Sequence, residues 1–258
     1  MKDNVDIFIG THQEFKPPVT NKAYKIIIGN HNDINIDTDL EVLKLGDTND
    51  ILDDKFYSEL YMLHKLIETN YPFKDYVGFC HYRKYFSFMD DIPDMDYIFQ
   101  HNDVITTQPL YFRYDNRKMY EIYHSKADIE TLQQVIRQKY SAYNRAFAQT
   151  MNSKILVPYN MVIMPRQTFI EYVNFIWNVL QDFIKEIGTD IEERIHKLEY
   201  QYTKGKPFPN NTMEYQYRIG GYLAERLTNV FIIKHNLRMK TYPAIITEAK
   251  YKGEHVCP

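Results

Sequence analysis

The sequence predicts an α/β fold: a mixed sheet flanked by helices, in one domain over residues 1–258, with a helical C-terminal half. Three observations point there. Short apolar runs such as "VDIFIG" and "YKIIIG" stop abruptly in polar residues, the pattern of strands buried on both faces. Helical spacings of apolar residues alternate with those runs. A chain of 258 residues with 44% hydrophobic and 25% charged residues has the size and make-up of one large globular domain.

In chain order, Val5 to Ile9 reads as a buried strand that turns polar at Gly10, Thr11 and His12, and Tyr24 to Asn30 as a second strand. Residues 31 to 56 are acidic and weakly periodic and read as a long loop. Phe56, Leu60, Leu63 and Ile67 then recur at helical spacing. The apolar run Tyr76 to Cys80 follows and ends at His81, Tyr82, Arg83 and Lys84. Asp103 to Pro109 is another short strand, and Met119 to Met151 carries two helices. "ILVPYNMVIMP" is strand-like, and "RQTFIEYVNFIWNVLQDFIKEI" is a long amphipathic helix. After a polar segment from Tyr200 to Met213, the helix "YRIGGYLAERLTNVFIIKH" and a last strand, "RMKTYPAI", close the chain.

The bulk numbers exclude several classes. A net charge of −3 gives no basic field for duplex nucleic acid. Cys80 and Cys257 form no metal-ligand spacing and no disulfide framework, which fits a reducing compartment. The start "MKDNVDIFIG" has no signal-peptide core, and no run approaches the ~20 apolar residues of a membrane span. The expected location is cytoplasmic. The 23 Tyr suit stacking on sugars or bases as well as packing.

Phosphate loops of the G-x-x-x-x-G-K-[ST] and G-x-G-x-x-G kinds are absent, as is a serine nucleophile elbow. The strand end His81, Arg83 and Lys84 is then the leading site. If the strand continues, His81 and Arg83 face one side while Tyr82 and Lys84 face the other. A guanidinium fork and an ammonium together can neutralise a diphosphate leaving group. From spacing alone, a solvated basic strand end paired with Asp90 and Asp91 is the simpler reading. "DMD", Asp94 to Asp96, can hold a divalent metal such as Mn or Mg, although a solvated acidic turn explains it as well. On the later helix, Arg218, Tyr222 and Glu225 share one face, and Gly221 permits close backbone approach. Glu225 there can be a general base, or else part of a surface ion pair. Asn160 and Met161 mark a loop-to-strand junction. His64 and His124 read as satisfied or exposed histidines.

The segments "VDIFIGTH", "DYVGFCHYRKYF", "PYNMVIMPRQTF" and "RIGGYLAERLTNVF", in that order, resemble the bacterial capsular and exopolysaccharide biosynthesis family long catalogued as a domain of unknown function. Its members are regarded as glycosyltransferases with a GT-A-like, Rossmann-type fold, and the resemblance runs from about Val5 to Pro243. It implies that Thr11 and His12 meet the nucleotide. It also implies that His81, Tyr82, Arg83 and Lys84 stand where relatives with metal carry Asp-x-Asp, holding the donor diphosphate without a metal cofactor. By the same resemblance Asn160 and Met161, with Arg218 and Tyr222, line the sugar and acceptor pocket. Glu225 is the first choice of base, Glu214 the second and Asp50 the third; Arg83 stabilises the departing diphosphate. The implied reaction transfers a sugar, galactofuranose from UDP-galactofuranose being the leading donor, to a lipid-linked or oligosaccharide acceptor, with inversion. Peripheral membrane contact would rest on Arg238, Lys240, Lys250 and Lys252. The rivals are a transferase using a metal on Asp94 and Asp96, a non-catalytic nucleotide-sugar or glycan binding module, and, more remotely, a nucleic-acid binder.

Overall fold

The computed structural model describes residues 4–29, 33–46, 52, 54–202 and 213–247. The elements are β1 (Val5–Thr11), β2 (Tyr24–Ile28), β3 (Glu41–Lys44), α1 (Asp54–Tyr57), α2 (Glu59–Glu68), β4 (Tyr76–His81), β5 (Lys84–Phe86), α3 (Met95–Phe99), β6 (Val104–Thr107), β7 (Leu110–Tyr111), α4 (Asn116–Tyr123), α5 (Lys126–Lys139), α6 (Asn144–Asn152), β8 (Ile155–Leu156), β9 (Val162–Pro165), α7 (Arg166–Ile187), α8 (Ile191–Tyr202), α9 (Met213–Tyr217), α10 (Ile219–Lys234), β10 (Met239–Tyr242) and β11 (Ala244–Ile246).

The main sheet runs β10-β6-β9-β4-β1-β2-β3, with β5 pairing β4 and β11 beside it. β3, β2, β1 and β4 are mutually parallel, β9 is antiparallel between β4 and β6, and β10 lies parallel to β6. All seven residues of β1 are buried, as a central strand covered on both faces requires. Its alternate side chains feed opposite cores: Val5, Ile7 and Ile9 join a cluster with Tyr24, Ile26 and Cys80, while Phe8 joins the larger one under α2, α7 and α10. The long helix α7 occupies the 22 residues its periodicity marks, and Phe169, Tyr172, Val173, Ile176, Leu180 and Phe183 form its buried stripe.

Three expectations change. The stretch read as a loop from 31 to 56 contains β3, whose Val42 and Leu43 are half-buried beside exposed Glu41 and Lys44; two apolar residues on an edge strand leave too little pattern to read. The helix expected from Phe56 breaks at Ser58, which adopts φ 52° and separates α1 from α2. The final strand divides at Pro243, which has no N–H to give a ladder, and β11 returns against β5.

Candidate active site

In the order β3-β2-β1-β4 the chain moves from β1 to β2 on one side and later returns to β4 on the other. The crevice outside the carboxyl ends of β1 and β4 is therefore the topological switch point, where open α/β sheets bind ligands. Thr11 ends β1 there and His81 ends β4, with Gly10 opposite His81 in register and the Tyr82 N–H donating to the Gly10 carbonyl at 3.2 Å.

The strand does not continue past His81. Tyr82 and Arg83 form a tight turn, and Lys84 pairs back with His81 as the first residue of β5. Cross-strand partners share a face, so His81 and Lys84 project together; the expected alternation, with His81 and Arg83 on one side, is corrected by this hairpin. Arg83 lies over the Tyr82 ring at 5.0 Å, and His12 meets the same ring edge-on at 5.4 Å. Tyr82 itself is buried, so its ring is a platform for His12 and Arg83. The Thr11 hydroxyl is buried and donates to the Gln13 carbonyl at 2.6 Å, shaping the loop after β1.

Opposite this hairpin stands the turn between β8 and β9. Tyr159 and Asn160 have φ of 72° and 54°, consecutive left-handed residues that cost strain, above all for Tyr. The turn is clamped from four directions. The Tyr159 N–H donates to Glu225 Oε1 at 2.9 Å, and its carbonyl accepts from His81 Nε2 at 2.7 Å. The Asn160 amide donates to Glu59 Oε1 at 2.9 Å, and its oxygen accepts from the Thr228 hydroxyl at 2.9 Å. Lys84 Nζ sits 4.6 Å from the centre of the Tyr159 ring.

Glu59 is the residue the sequence reading missed. It opens α2, 3.6 Å from His81 Nε2, with its side chain only 11% exposed. It reaches the site because α10 comes unusually close to the α1–α2 junction. A Cβ on Gly220 would stand 2.7 Å from the Phe56 carbonyl, and one on Gly221 would stand 2.5 Å from the Ser58 hydroxyl. Arg218, which precedes α10, donates to that hydroxyl at 3.3 Å. The signal was present in the adjacent glycines, since a glycine pair inside a helix asks what packs against it. The sequence did not say which segment that was.

The electrostatics follow from burial. Desolvation outweighs the pull of Glu59 and lowers the His81 pKa to about 4, so the ring is neutral near pH 7. A carbonyl can only accept, so Nε2 carries the proton. Burial opposes ionisation of Glu59, yet the Asn160 amide that donates to it and the nearby Arg218 charge favour the ionised form and hold its carboxyl below the ordinary range. Burial also depresses Lys84; Glu59 and Glu225 pull it up, while Arg83 and Arg218 push it down, and the net shift is downward. Around Lys84 the described residues gather two further cations, Arg83 and Arg218, and two carboxylates, Glu59 and Glu225, a setting suited to an anionic ligand.

Glu225 is 20% exposed and tied on its second oxygen to Arg226 at 3.1 Å. Its side chain thus meets the Tyr159 N–H and Arg226, its immediate neighbour in the chain. Tyr222 turns towards His124, their ring centres 4.3 Å apart, and is half-buried beside Tyr215. Met161 is fully buried in the core and presents no surface to a sugar, which corrects its place in the pocket. Asp94 and Asp96 lie at the wrong end of the sheet for a metal at this site. Asp94 caps α3 by accepting from the Tyr97 N–H, and Asp96 accepts from Asn4 and from Tyr76, the first residue of β4. Tyr76 and His81 are about 16 Å apart along the strand, so this pair does not fit a metal bridging a diphosphate at the switch point. Asp90 binds Thr20 and Asn21 rather than the basic hairpin. His64 stacks on Trp177 and His124 is buried. Of the basic residues suggested for membrane contact, Arg238 is held bidentate by Asp103, Lys240 lies over Tyr242, and Lys250 and Lys252 fall outside the described residues. Asp50 and Cys257 also fall outside, and the Glu214 side chain is not described. Among the described residues no helix is long and apolar enough to cross a membrane.

Residues 6–202 match the family described as a domain of unknown function, DUF4422. The chain belongs to this family. The structure of WbbM, described as a bifunctional glycosyltransferase in its apo form, aligns with 99% of this DUF4422 chain at a TM-score of 0.72 and 18% identity. The chain spans 47% of WbbM. At that identity the likeness speaks for the fold, a GT-A-like α/β sheet flanked by helices. The mannosyltransferase Ktr4p from S. cerevisiae aligns with 72% of the chain, which covers 62% of Ktr4p, at a TM-score of 0.34 and 10% identity, too weak a likeness to argue from. No curated protein matches the sequence.

Proposed function

We propose that this DUF4422 chain is a glycosyltransferase domain that moves a sugar from a nucleoside diphosphate donor to a hydroxyl of a cell-surface glycan, by inversion and without a metal. The observation that carries the reading is the cationic cluster at the switch point: Lys84 is held against the strained Tyr159 turn, with Arg83 and Arg218 adding to its field. Such a cluster suits a diphosphate, whose charge grows as the sugar bond breaks. The fold shared with WbbM agrees with it, since that protein is described as a glycosyltransferase.

In this mechanism the acceptor oxygen attacks the anomeric carbon as the bond from that carbon to the diphosphate oxygen breaks. The proton of the acceptor passes to the Glu225 carboxylate, which is 20% exposed and hydrogen-bonded to the Tyr159 N–H and to Arg226. Lys84, Arg83 and Arg218 take the charge of the departing nucleoside diphosphate. His81, Glu59 and Asn160 hold the turn and orient it. His12 and Thr11, at the end of β1, border the nucleotide, and Tyr222 borders the acceptor. UDP-galactofuranose is the leading donor, by the family resemblance, and a polysaccharide intermediate the leading acceptor.

Calorimetry with UDP, GDP and CMP, with and without EDTA, tests the reading on wild type, Arg83→Ala and Lys84→Ala. UDP binding that ignores EDTA and collapses in Lys84→Ala supports it. Binding that requires a divalent ion and ignores both substitutions defeats the clamp. Binding with no donor turnover, unchanged in Glu225→Gln, points instead to a nucleotide-sugar binding module.

A further inference from the structure

A two-stranded ribbon projects from the same edge of the sheet as the candidate active site. β6 and β4 are both antiparallel to β9, so their carboxyl ends share an edge, and the ribbon of β7 and β8 springs from the end of β6. β8 leads through Val157 and Pro158 straight into the Tyr159–Asn160 turn, and the Thr107 hydroxyl donates to the Pro158 carbonyl at 3.2 Å.

The ribbon is unusual in what it exposes. Tyr111 and Ile155 are cross-strand partners, hence side by side on one face, and are 78% and 44% exposed. Leu110 and Tyr114 are exposed beside them. Around these apolar groups stand Arg113, Arg117, Lys118 and Lys154 against two acidic residues, Asp115 and Glu121, the latter 3.8 Å from Lys118 Nζ, which leaves Arg113 and Lys154 beside the apolar face as the local positive charge. Asp115 is itself engaged, accepting from the Lys118 N–H as the cap of α4. The Arg113 guanidinium lies over the Tyr114 ring at 5.4 Å. A local excess of positive charge, on a chain whose net charge is −3, is joined to exposed tyrosines and aliphatic side chains.

We infer that this ribbon docks the protein onto an anionic phospholipid surface, its apolar residues entering the headgroup region and its basic residues meeting lipid phosphates. Tyrosine suits that boundary, with an apolar ring and a polar tip. Charge decides between the possible occupants. A second copy would bring the same positive patch against itself, whereas an anionic leaflet complements it. The surface differs from the Arg238 and Lys240 region, where Arg238 is already paired with Asp103. Docking here would turn the active-site edge towards the membrane.

The test is cosedimentation of the full chain with phosphatidylcholine vesicles, with and without phosphatidylglycerol. Wild type should bind only the anionic vesicles, and added salt should weaken it. Each basic residue near such a surface is worth about fivefold in partitioning, so Arg113→Ser with Lys154→Ser should lose about 25-fold. Tyr111→Ser with Ile155→Ser should lose about tenfold, from the apolar area withdrawn. All four side chains are exposed, so melting temperature and UDP binding should stay at wild-type values in both double variants. The inference falls if wild type ignores phosphatidylglycerol or if both double variants bind as wild type does. It also falls if wild type is a dimer that Tyr111→Ser dissociates. Vesicle binding does not involve Lys84, so it can stand or fall apart from the transferase reading.

Discussion

Lowering the pH from 7 to 5 should destabilise this protein through two buried imidazoles. His81 falls from its ordinary 6.5 to about 4 by desolvation, and His124 falls to about 3 by desolvation and by Arg226. In the unfolded chain both rings take a proton below pH 6.5; in the folded chain both stay neutral until well below pH 5. The unfolded state therefore binds more protons in this window, and stability falls as pH falls. At pH 5 each group costs about 2 kcal/mol, being 1.5 pH units below 6.5 at 1.36 kcal/mol per unit. That figure barely depends on the folded value, provided it lies below 5. Together the two cost about 4 kcal/mol, or about 8–16 °C in melting temperature at 2–4 °C per kcal/mol. Asp182 does not intrude, because its carboxyl, held at about 2 by Lys139, Lys185 and Tyr140 against burial, loses its contribution only at lower pH. Thermal unfolding followed by circular dichroism at pH 7 and pH 5 measures the drop, and His81→Gln and His124→Gln should each remove about half of it. Equal melting temperatures at the two pH values, or an undiminished drop in the double variant, would refute the reasoning.

Gly220→Ala places a methyl 2.7 Å from the Phe56 carbonyl, so overpacking of about 1–3 kcal/mol should outweigh the ~0.5–1 kcal/mol gained in helix propensity. Denaturant titration should show lower stability, and nucleotide affinity should fall as Glu59 and Arg218 shift. Affinity for UDP should decline as pH rises through the depressed pKa of Lys84, since the protonated form holds the diphosphate; Lys84→Arg should flatten that decline in calorimetric titrations. Asp96→Ala should lose about 1 kcal/mol or more by orphaning Asn4 and the Tyr76 hydroxyl, while leaving UDP affinity and its response to EDTA unchanged. A loss of UDP binding in that variant would restore Asp96 to the functional site.

The parts of the fold that were legible are those written in long or strong patterns. α7 declares itself by a stripe held over 22 residues, and β1 by an unbroken buried run. The candidate site was half legible. His81 and Lys84 stand out because polar, titratable side chains ending a buried strand demand a partner. Their common face was hidden, because nothing in "HYRK" distinguishes a continuing strand from a two-residue turn without glycine or asparagine. Glu59 was hidden for another reason. Its role rests on contacts with Asn160, 101 residues away, and on the approach of α10, neither of which leaves a local periodicity. Met161 follows the left-handed Asn160 out of the turn and is buried in the core, a direction that no local pattern in "PYNM" announces.

The strain at Tyr159 and the polar network around it explain each other. A left-handed tyrosine costs about 1–2 kcal/mol, and nothing in "PYNM" supplies glycine to relieve it. The turn persists because Glu225, His81, Glu59 and Thr228 each contribute a hydrogen bond to it, at about 0.5–1.5 kcal/mol apiece. These are the groups whose burial would be most costly if left unpaired, and the turn satisfies them. Two of them are carboxylates, and they also moderate the mutual repulsion of Lys84, Arg83 and Arg218, which would otherwise drive Lys84 to lose its proton. The carboxylates therefore do more than offer a base. They allow cations to be gathered in a half-buried crevice before any ligand arrives, so that the positive field is already in place when a diphosphate enters.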